Sequence, residues 1–518
     1  MEGSPTGPMA QVFNPFSPLS PANTAGATNL VYEPLIQFDL LKPGVTYPWL
    51  ATSYAWSNGG RAITFTLRSG VKFSNGEAFN GADAAWEFNM LKANPTANTN
   101  GLPITSASSP NATSVVVNFS RPVYTLLYFI ASTPMLPENL WTKVNPATYA
   151  DSAPVGTGPY EVTSFTSSGI TMTRNPHYWG GTPPVPKVEF PAYDSNTSAN
   201  LALEQGSLDW AGNFVQNIKT VFVGKNPADY HYYDAVLEVQ SLMPNLTVFP
   251  FTGSAGLAVR EAISDGIDRT TISNDGEDYQ QPGATGPASL TGLALPTDSS
   301  YITPATSGYA TSYDPAKAKQ VLQAAGWKMG SDGYYELNGR TLAFTIEDPS
   351  AYTDYISDDT IVAQELKAVG MDVTVDGISV SKFGTDVADG TFQMVNRYGT
   401  GGPNPYFEYD NWLDDTITAA VGKTATGDYE RFYSPQAETY LQQFASTDST
   451  ATQLNDVVGL EKIVATQLPI IPMIFGVAWF EYNSSAYTGW PTQSDPYDPG
   501  QPEGPYDEYT IMHLKPVS

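Results

Sequence analysis

Apolar and polar residues alternate over Ile63-Thr64-Phe65-Thr66-Leu67 and again over Ser114-Val115-Val116-Val117-Asn118-Phe119. That period of two predicts half-buried strands. Gly70 punctuates the first, and Val71-Lys72-Phe73 resumes it. Ala84, Ala85, Phe88 and Leu91 recur at helical spacing behind Asn80, which predicts a capped helix over 80–92. In the second half the pattern predicts a strand over 245–250 and a helix over 255–269. A further helix starts at Asp314-Pro315, buries Ala318, Val321, Leu322 and Ala325, and stops at Gly326. A helix over 360–369 ends at Gly370, and Met371-Asp372-Val373-Thr374-Val375 follows as a strand. Helices are expected from Ser434-Pro435 and over 454–467, and a buried strand over 470–476. Residues 1–30 read as loop, with Phe13-Asn14-Pro15-Phe16-Ser17-Pro18 as its clearest part, and 151–160 as a turn-rich crossing between subdomains. The tail from Pro491 is rich in Pro, Gly, Asp and Tyr and is expected to wrap the surface. There is no internal repeat. Strands and helices mixed through both halves predict an α/β protein of two lobes.

The chain has 518 residues, enough for two to four domains at roughly 100–200 residues each. Its 24 basic residues against 52 acidic ones give a net charge of −28. Nucleic-acid phosphates and anionic membrane surfaces would repel that charge, so neither is an expected partner. Charged residues are 15 %, against a usual ~25 %. Polarity comes instead from Thr, Ser, Asn and Gln, beside 31 Tyr and 10 Trp, a mixture suited to neutral polar ligands. The chain has no cysteine, which removes thiol nucleophiles, thiolate metal sites and disulfides together. It holds no apolar run of about 18 residues, the length that would suggest a membrane helix. Met1-Glu2-Gly3-Ser4-Pro5 does not read as a signal peptide.

Motifs for chemistry are missing. His177, His231 and His513 are far apart and match no metal-ligand spacing, so no metal site is expected. There is no phosphate-binding glycine loop and no nucleophile elbow. Asp372, Asp376 and Gly377 echo a calcium loop, but Thr374 and Phe383 stand where ligands are needed. A glycoside hydrolase would need two carboxyl groups roughly 5–9.5 Å apart. The pairs Asp358-Asp359 and Asp414-Asp415 are read as solvated loop or helix-cap charges instead. Trp56, Trp210, Trp412 and Trp479 stand out, because a flat indole in a polar loop can stack on the apolar face of a sugar ring.

Several segments, taken in order, resemble the extracellular solute-binding proteins of the dipeptide/oligopeptide type, family 5, which serve ABC importers. They are Phe13-Asn14-Pro15-Phe16, Asn29-Leu30-Val31-Tyr32-Glu33-Pro34-Leu35, and Leu67-Arg68-Ser69-Gly70-Val71-Lys72-Phe73-Ser74-Asn75-Gly76-Glu77 continuing to Asp83. Gly156-Thr157-Gly158-Pro159-Tyr160, Arg174-Asn175-Pro176-His177-Tyr178-Trp179, Val259-Arg260-Glu261-Ala262-Ile263 with Gly266-Ile267-Asp268-Arg269, and Ala318 to Trp327 complete the set.

The resemblance implies a two-lobed periplasmic-binding-protein fold of the large type with an extra subdomain. It places the first lobe at 1–48, its inserted subdomain at 49–153, the first lobe again at 154–246, the second lobe at 247–477 and a return to the first at 478–518. It implies ligand capture by lobe closure, no catalysis, no cofactor, a monomer working with membrane permease subunits, and an extracytoplasmic place, periplasmic or lipid-anchored. Peptide binders of this family hold the ligand's amino group with an aspartate. Across Asn396-Arg397-Tyr398-Gly399-Thr400-Gly401-Gly402-Pro403-Asn404 no acid takes that role, though Glu408, Asp410, Asp414 and Asp415 follow. Ser207 to Phe214, Trp479-Phe480-Glu481-Tyr482 and Tyr487 to Thr492 resemble the oligosaccharide-binding branch instead. A neutral, cellobiose- or β-glucan-like oligosaccharide is therefore the expected ligand, an oligopeptide the alternative, and a secreted glycoside hydrolase the more distant one. The expected ligand residues are Asn14, Phe16, Trp56, Trp210, Asn213, Phe214, Tyr398, Asn404, Trp412 and Trp479.

Overall fold

The computed structural model describes residues 1, 7–17, 20, 25, 28–503 and 505–517. Pro18 and residues 2–5, named above, lie outside the described residues. The chain forms two compact units: residues 1–235, 445–447 and 478–518 in the first, and 236–444 and 448–477 in the second.

The first unit is built from antiparallel sheets. Ala51–Ser57, Ala62–Leu67, Ser114–Phe119 and Ile104–Asn111 form one of four strands, in that spatial order. The Gly81–Ala93 helix covers it, burying Ala84, Ala85, Phe88 and Leu91 against Ile63, Phe65, Val115 and Val117. Asn80 caps this helix as expected: its Oδ1 accepts from Ala82 N–H, and Asp83 Oδ2 accepts from Asn80 N–H at 3.0 Å. A second sheet comprises Tyr160–Thr166, Gly169–Arg174 and Lys187–Pro191. The third brings distant segments together: Trp210–Ala211, Glu481–Asn483 and Tyr230–Tyr232, with Glu481–Asn483 central.

The second unit has one five-stranded mixed sheet, ordered Asp372–Ile378, Ala343–Pro349, Met394–Tyr398, Ala235–Pro244 and Ile471–Ala478. Ala343–Pro349 and Asp372–Ile378 run parallel, joined by the Thr353–Val369 helix. Such a crossover follows from strand, helix and strand in succession. Val362, Leu366, Val373, Met394 and Ile471 lie in its core.

Several sequence expectations need correction. The segment 245–250 is a turn, and the strand is Ala235–Pro244. Asn245 ends it: its Nδ2 donates to Gly390 O and Phe392 O, and its Oδ1 accepts from Thr247. The 255–269 helix runs Gly253–Gly266; Ile267 is extended, and Asp268 caps a new turn. The 360–369 helix begins seven residues earlier, at Thr353, and brings Asp358 and Asp359 into the interior instead of leaving them solvated. The tail does not merely wrap the surface. Tyr506–His513 is a helix, and Glu508, Ile511 and Leu514 are buried. Among the described residues no helix is long and apolar enough to cross a membrane.

Candidate functional site

The two segments read as sugar-branch features, 207–214 and 479–492, meet in the third sheet of unit 1. Trp210 pairs with Tyr482 and Ala211 with Glu481. Trp210 turns inward. It is 3 % exposed, its Nε1 donates to Gly500 O at 2.6 Å, and its ring lies edge-on to Trp490 at 5.3 Å and Phe480 at 6.2 Å. It also forms part of the wall of an open cavity of about 530 Å³ with Ile170, Phe190, Tyr487 and Trp490. Phe214 and Trp479 are half-buried and meet edge to face at 5.5 Å, at 64°. Asn213, directly before Phe214, is buried, its N–H donating to Glu481 Oε2 at 3.2 Å. Asn200 Nδ2 holds the Phe214 carbonyl at 2.9 Å. Unit 1 thus presents an aromatic pair whose Phe214 side is held through the backbone at Asn213 and Phe214.

In unit 2, Tyr398 ends a central strand and leads into a glycine loop. It is half-buried, its hydroxyl donates to Gln281 Oε1 at 2.8 Å, and its ring lies 5.7 Å from Tyr355 at 75°. The loop after it is held by acids. Thr400 N–H donates to Glu408 Oε2 at 2.8 Å, Val239 N–H to Glu408 Oε1 at 3.1 Å, and Gly401 N–H to Glu238 Oε2 at 3.2 Å. Gly399 is required, because a Cβ there would overlap the Glu408 carboxyl. Burial raises Glu408 well above the usual carboxylate range and Glu238 to about 7. Glu408 is therefore buried behind the loop as its clamp. Asn404 Oδ1 accepts from Tyr406 N–H at 3.0 Å, starting the Tyr406–Leu413 helix. Gln281, Glu238 and Tyr355, which position Tyr398 and its loop, escaped the sequence reading because each comes from a different segment with no shared motif.

The other expected residues serve their own units. Trp412, 1 % exposed, packs on Tyr409 and against Gly292. Trp412 thus has no open face for stacking, and Trp210 keeps only 3 % of its surface open, towards the cavity it lines; packing inside each unit covers the rest. Asn14 is buried, with Nδ2 donating to Pro146 O at 2.7 Å and Tyr149 O at 2.8 Å, so it ties down the N-terminal loop. Phe16 is half-buried and edge-on to Trp141 at 6.5 Å. Trp56, on the edge strand Ala51–Ser57, is half-buried against Tyr124 at 5.1 Å. The histidines occupy separate places: His177 is exposed, His231 Nε2 lies 3.1 Å from Ser484 Oγ, and His513 Nδ1 2.7 Å from Tyr509 O. Asp414, Asp415 and Glu438 bring carboxylate oxygens within 4.8 Å of one another, and Asp414 Oδ1 already accepts from Thr416 N–H.

The segments that carry the family resemblance hold the fold. Gly156 and Gly158 lie so close to Val31 O and Leu30 O that a Cβ at either would overlap backbone. Trp179 Nε1 donates to Glu33, and the Arg68 guanidinium lies 4.0 Å over the Trp179 ring. Arg174 donates to the carbonyls of Pro183 and Pro184 at 2.6 Å. Arg269 is buried, donating to Pro472 O and Ser264 O, and burial lowers it to about 10.

This architecture is that of the periplasmic binding proteins, the class that captures solutes for membrane importers. Residues 45–419 match the model of Bacterial extracellular solute-binding proteins, family 5 Middle, and the chain belongs to that family. It is similar to the nickel-binding periplasmic protein of Escherichia coli K12, 30 % identical over 413 residues, 74 % of each chain. Its fold is similar to that of a periplasmic oligopeptide-binding protein of an oligopeptide ABC transporter from Thermotoga maritima. That likeness has a TM-score of 0.89 and 23 % identity, over 99 % of this chain and 98 % of that one. A mannohexaose-bound form of the Thermotoga protein matches with a TM-score of 0.82 at 24 % identity and the same coverage. The chain is the solute-binding component of an ABC importer and not an enzyme; such proteins bind small ligands outside the cytoplasm and work with membrane permeases.

Proposed function

We propose that this protein captures a neutral oligosaccharide, of the cellobiose or β-glucan kind, and holds it by closure of its lobes. The half-buried Phe214–Trp479 pair, its Phe214 side held through the backbone, is the observation that carries this reading. A fixed aromatic surface suits the apolar face of a sugar ring, and neutral hydrogen-bonding groups suit its hydroxyls. Tyr398 and Asn404 supply such groups in unit 2, and Phe16 and Trp56 remain further aromatic contacts in this reading. The mannohexaose named with the Thermotoga protein gives it added support. A cell-surface lipid anchor belongs to the same reading, and labelling of the expressed protein with a fatty-acid analogue tests it.

The second reading is an oligopeptide ligand, favoured by the oligopeptide-binding description of the same Thermotoga protein. Calorimetric titration with cellohexaose, mannohexaose, mixed-sequence hexapeptides and nickel separates the readings. Tight binding of a hexaose alone is expected. Binding of peptides with no response to any sugar would refute the oligosaccharide reading.

A further inference from the structure

Unit 2 contains a group of acids that solute capture leaves unexplained. Asp358 and Asp359 on the Thr353–Val369 helix, Asp348 on the Ala343–Pro349 strand, and Glu277 after the 272–276 turn are all fully buried. Asp358 meets Glu277, and Asp359 meets Asp348, carboxyl to carboxyl within hydrogen-bonding reach. Gly276 makes the first approach feasible, since a Cβ there would overlap Asp358 Oδ1. Asn396 N–H donates to Asp348 Oδ2 at 2.9 Å, and Gln240 Nε2 lies 3.4 Å from Asp358 Oδ2. Gln240 in turn meets Gln281, which accepts from Tyr398. Among the described residues no donor in good hydrogen-bonding geometry reaches Oδ1 of Asp348 or Asp358, and the Gln281 and Asn396 side-chain amides lie near Glu277 and Asp359 without attaining that geometry.

Ionised carboxylates only accept, and two that face each other repel. A carboxylic acid carries the missing donor. We infer that the Glu277–Asp358 and Asp348–Asp359 pairs are each closed by a proton, which acts as a structural ligand of unit 2 and makes its folded state depend on an acidic medium.

The surrounding groups do not replace those protons. Asp354 and Tyr355 on the same helix add an acid and a neutral phenol, and Glu238 on Ala235–Pro244 adds another acid. Arg397 on Met394–Tyr398 attracts Asp348, while its guanidinium lies 4.6 Å over the Tyr429 ring. The Gly253–Gly266 helix, packed on Thr353–Val369, brings Arg260, Glu261 and Asp265, and Pro315–Ala324 brings Lys317 and Lys319. Arg260 is engaged by the carbonyls of Phe251 and Gln467, and Lys317 by Asp265 at 3.0 Å. Arg269 serves Pro472 and Ser264. Glu347 faces Lys382 at 3.8 Å; Asp275, Asp372 and Asp376 only add negative charge. Burial raises Glu277 and Asp359 to about 7, and Asp348 and Asp358 higher still. Free carboxyls titrate near ~4, so this stabilisation is complete below about pH 4 and is lost as pH rises through the folded values.

Urea unfolding of the whole chain between about pH 4.5 and 7 tests the inference. Each proton kept by the folded state and released on unfolding raises the unfolding constant about tenfold per pH unit. Asp358→Asn and Glu277→Gln each replace an acid with an amide donor, and each should remove about one such factor of ten per unit. The exposed Asp376→Asn should leave the slope as it is. Unchanged slopes in both pair variants overturn the proposal. Should neither variant fold, infrared spectra of the wild type decide: a protonated-carboxyl band present at about pH 6, well above the free-carboxyl value, is expected, and its absence from folded protein overturns it.

Discussion

Trp210 and Trp479 come from strands and loops of the same small sheet, yet they face different surroundings. Trp210 is enclosed by Phe480 and Trp490 and bonded to Gly500, whereas Trp479 meets Phe214 edge-on and stays half-buried. Removing an enclosed indole leaves a cavity, so Trp210→Ala and Trp412→Ala should each lower folding stability by about 3–5 kcal/mol in urea titrations. Trp479→Ala removes little packing. In the oligosaccharide reading it should keep a near-native Tm and lose about 2 kcal/mol of sugar affinity, as a contact hot spot does. A Trp479→Ala protein that binds its sugar unchanged would take this ring out of the site.

Among the elements, the Gly81–Ala93 helix shows how much a local signal can specify. Its reciprocal cap from Asn80 and Asp83 occupies two N–H groups that the first turn would otherwise leave unbonded. Asn80→Ala should therefore cost about 1 kcal/mol, readable as a lower urea midpoint at constant m-value. The Thr353–Val369 helix was only half visible, because its first turns carry Asp354, Asp358 and Asp359 where an apolar face would announce a helix. Asp358 and Asp359 face inward and take part in the proton-closed pairs, so their polarity misleads any reading that equates charge with solvent. The Ala235–Pro244 strand was missed in favour of 245–250 for a related reason. Asn245 and Pro250 flank a short apolar run, and only the side-chain bonds of Asn245 reveal that run as a turn.

For the whole molecule, the two units and the family assignment imply a capture device. In the oligosaccharide reading, contacts from both lobes would favour a closed state, so small-angle scattering of the protein saturated with a sugar it binds should give a smaller radius of gyration than without it. No contraction on saturation would count against capture by closure. A neutral ligand leaves no ion pair to screen. Sugar affinity should then change by less than about twofold between roughly 0.05 and 0.5 M salt, despite the net charge of −28. A steep fall in affinity over that range would favour a charged peptide terminus.

Taken by itself, the sequence determined the α/β class, most of the longest helices, a few of the strands, and the family. The reason is local: caps such as Asn80 and Asp314, stops such as Gly326 and Gly370, and glycines such as Gly156 and Gly158 act within a turn or at a backbone contact that admits no side chain. The family segments were legible because they hold the scaffold, through Arg68 on Trp179 and Arg269 on two carbonyls. Which tryptophans face inward, which acids lose their water, and which amide pins which loop were decided only by the tertiary structure. Burial depends on what distant segments bring alongside: Phe480 and Trp490 to Trp210, Glu277 to Asp358, Glu408 to the loop after Tyr398. No spacing within one segment encodes those meetings, since each joins residues from 8 to 280 positions apart.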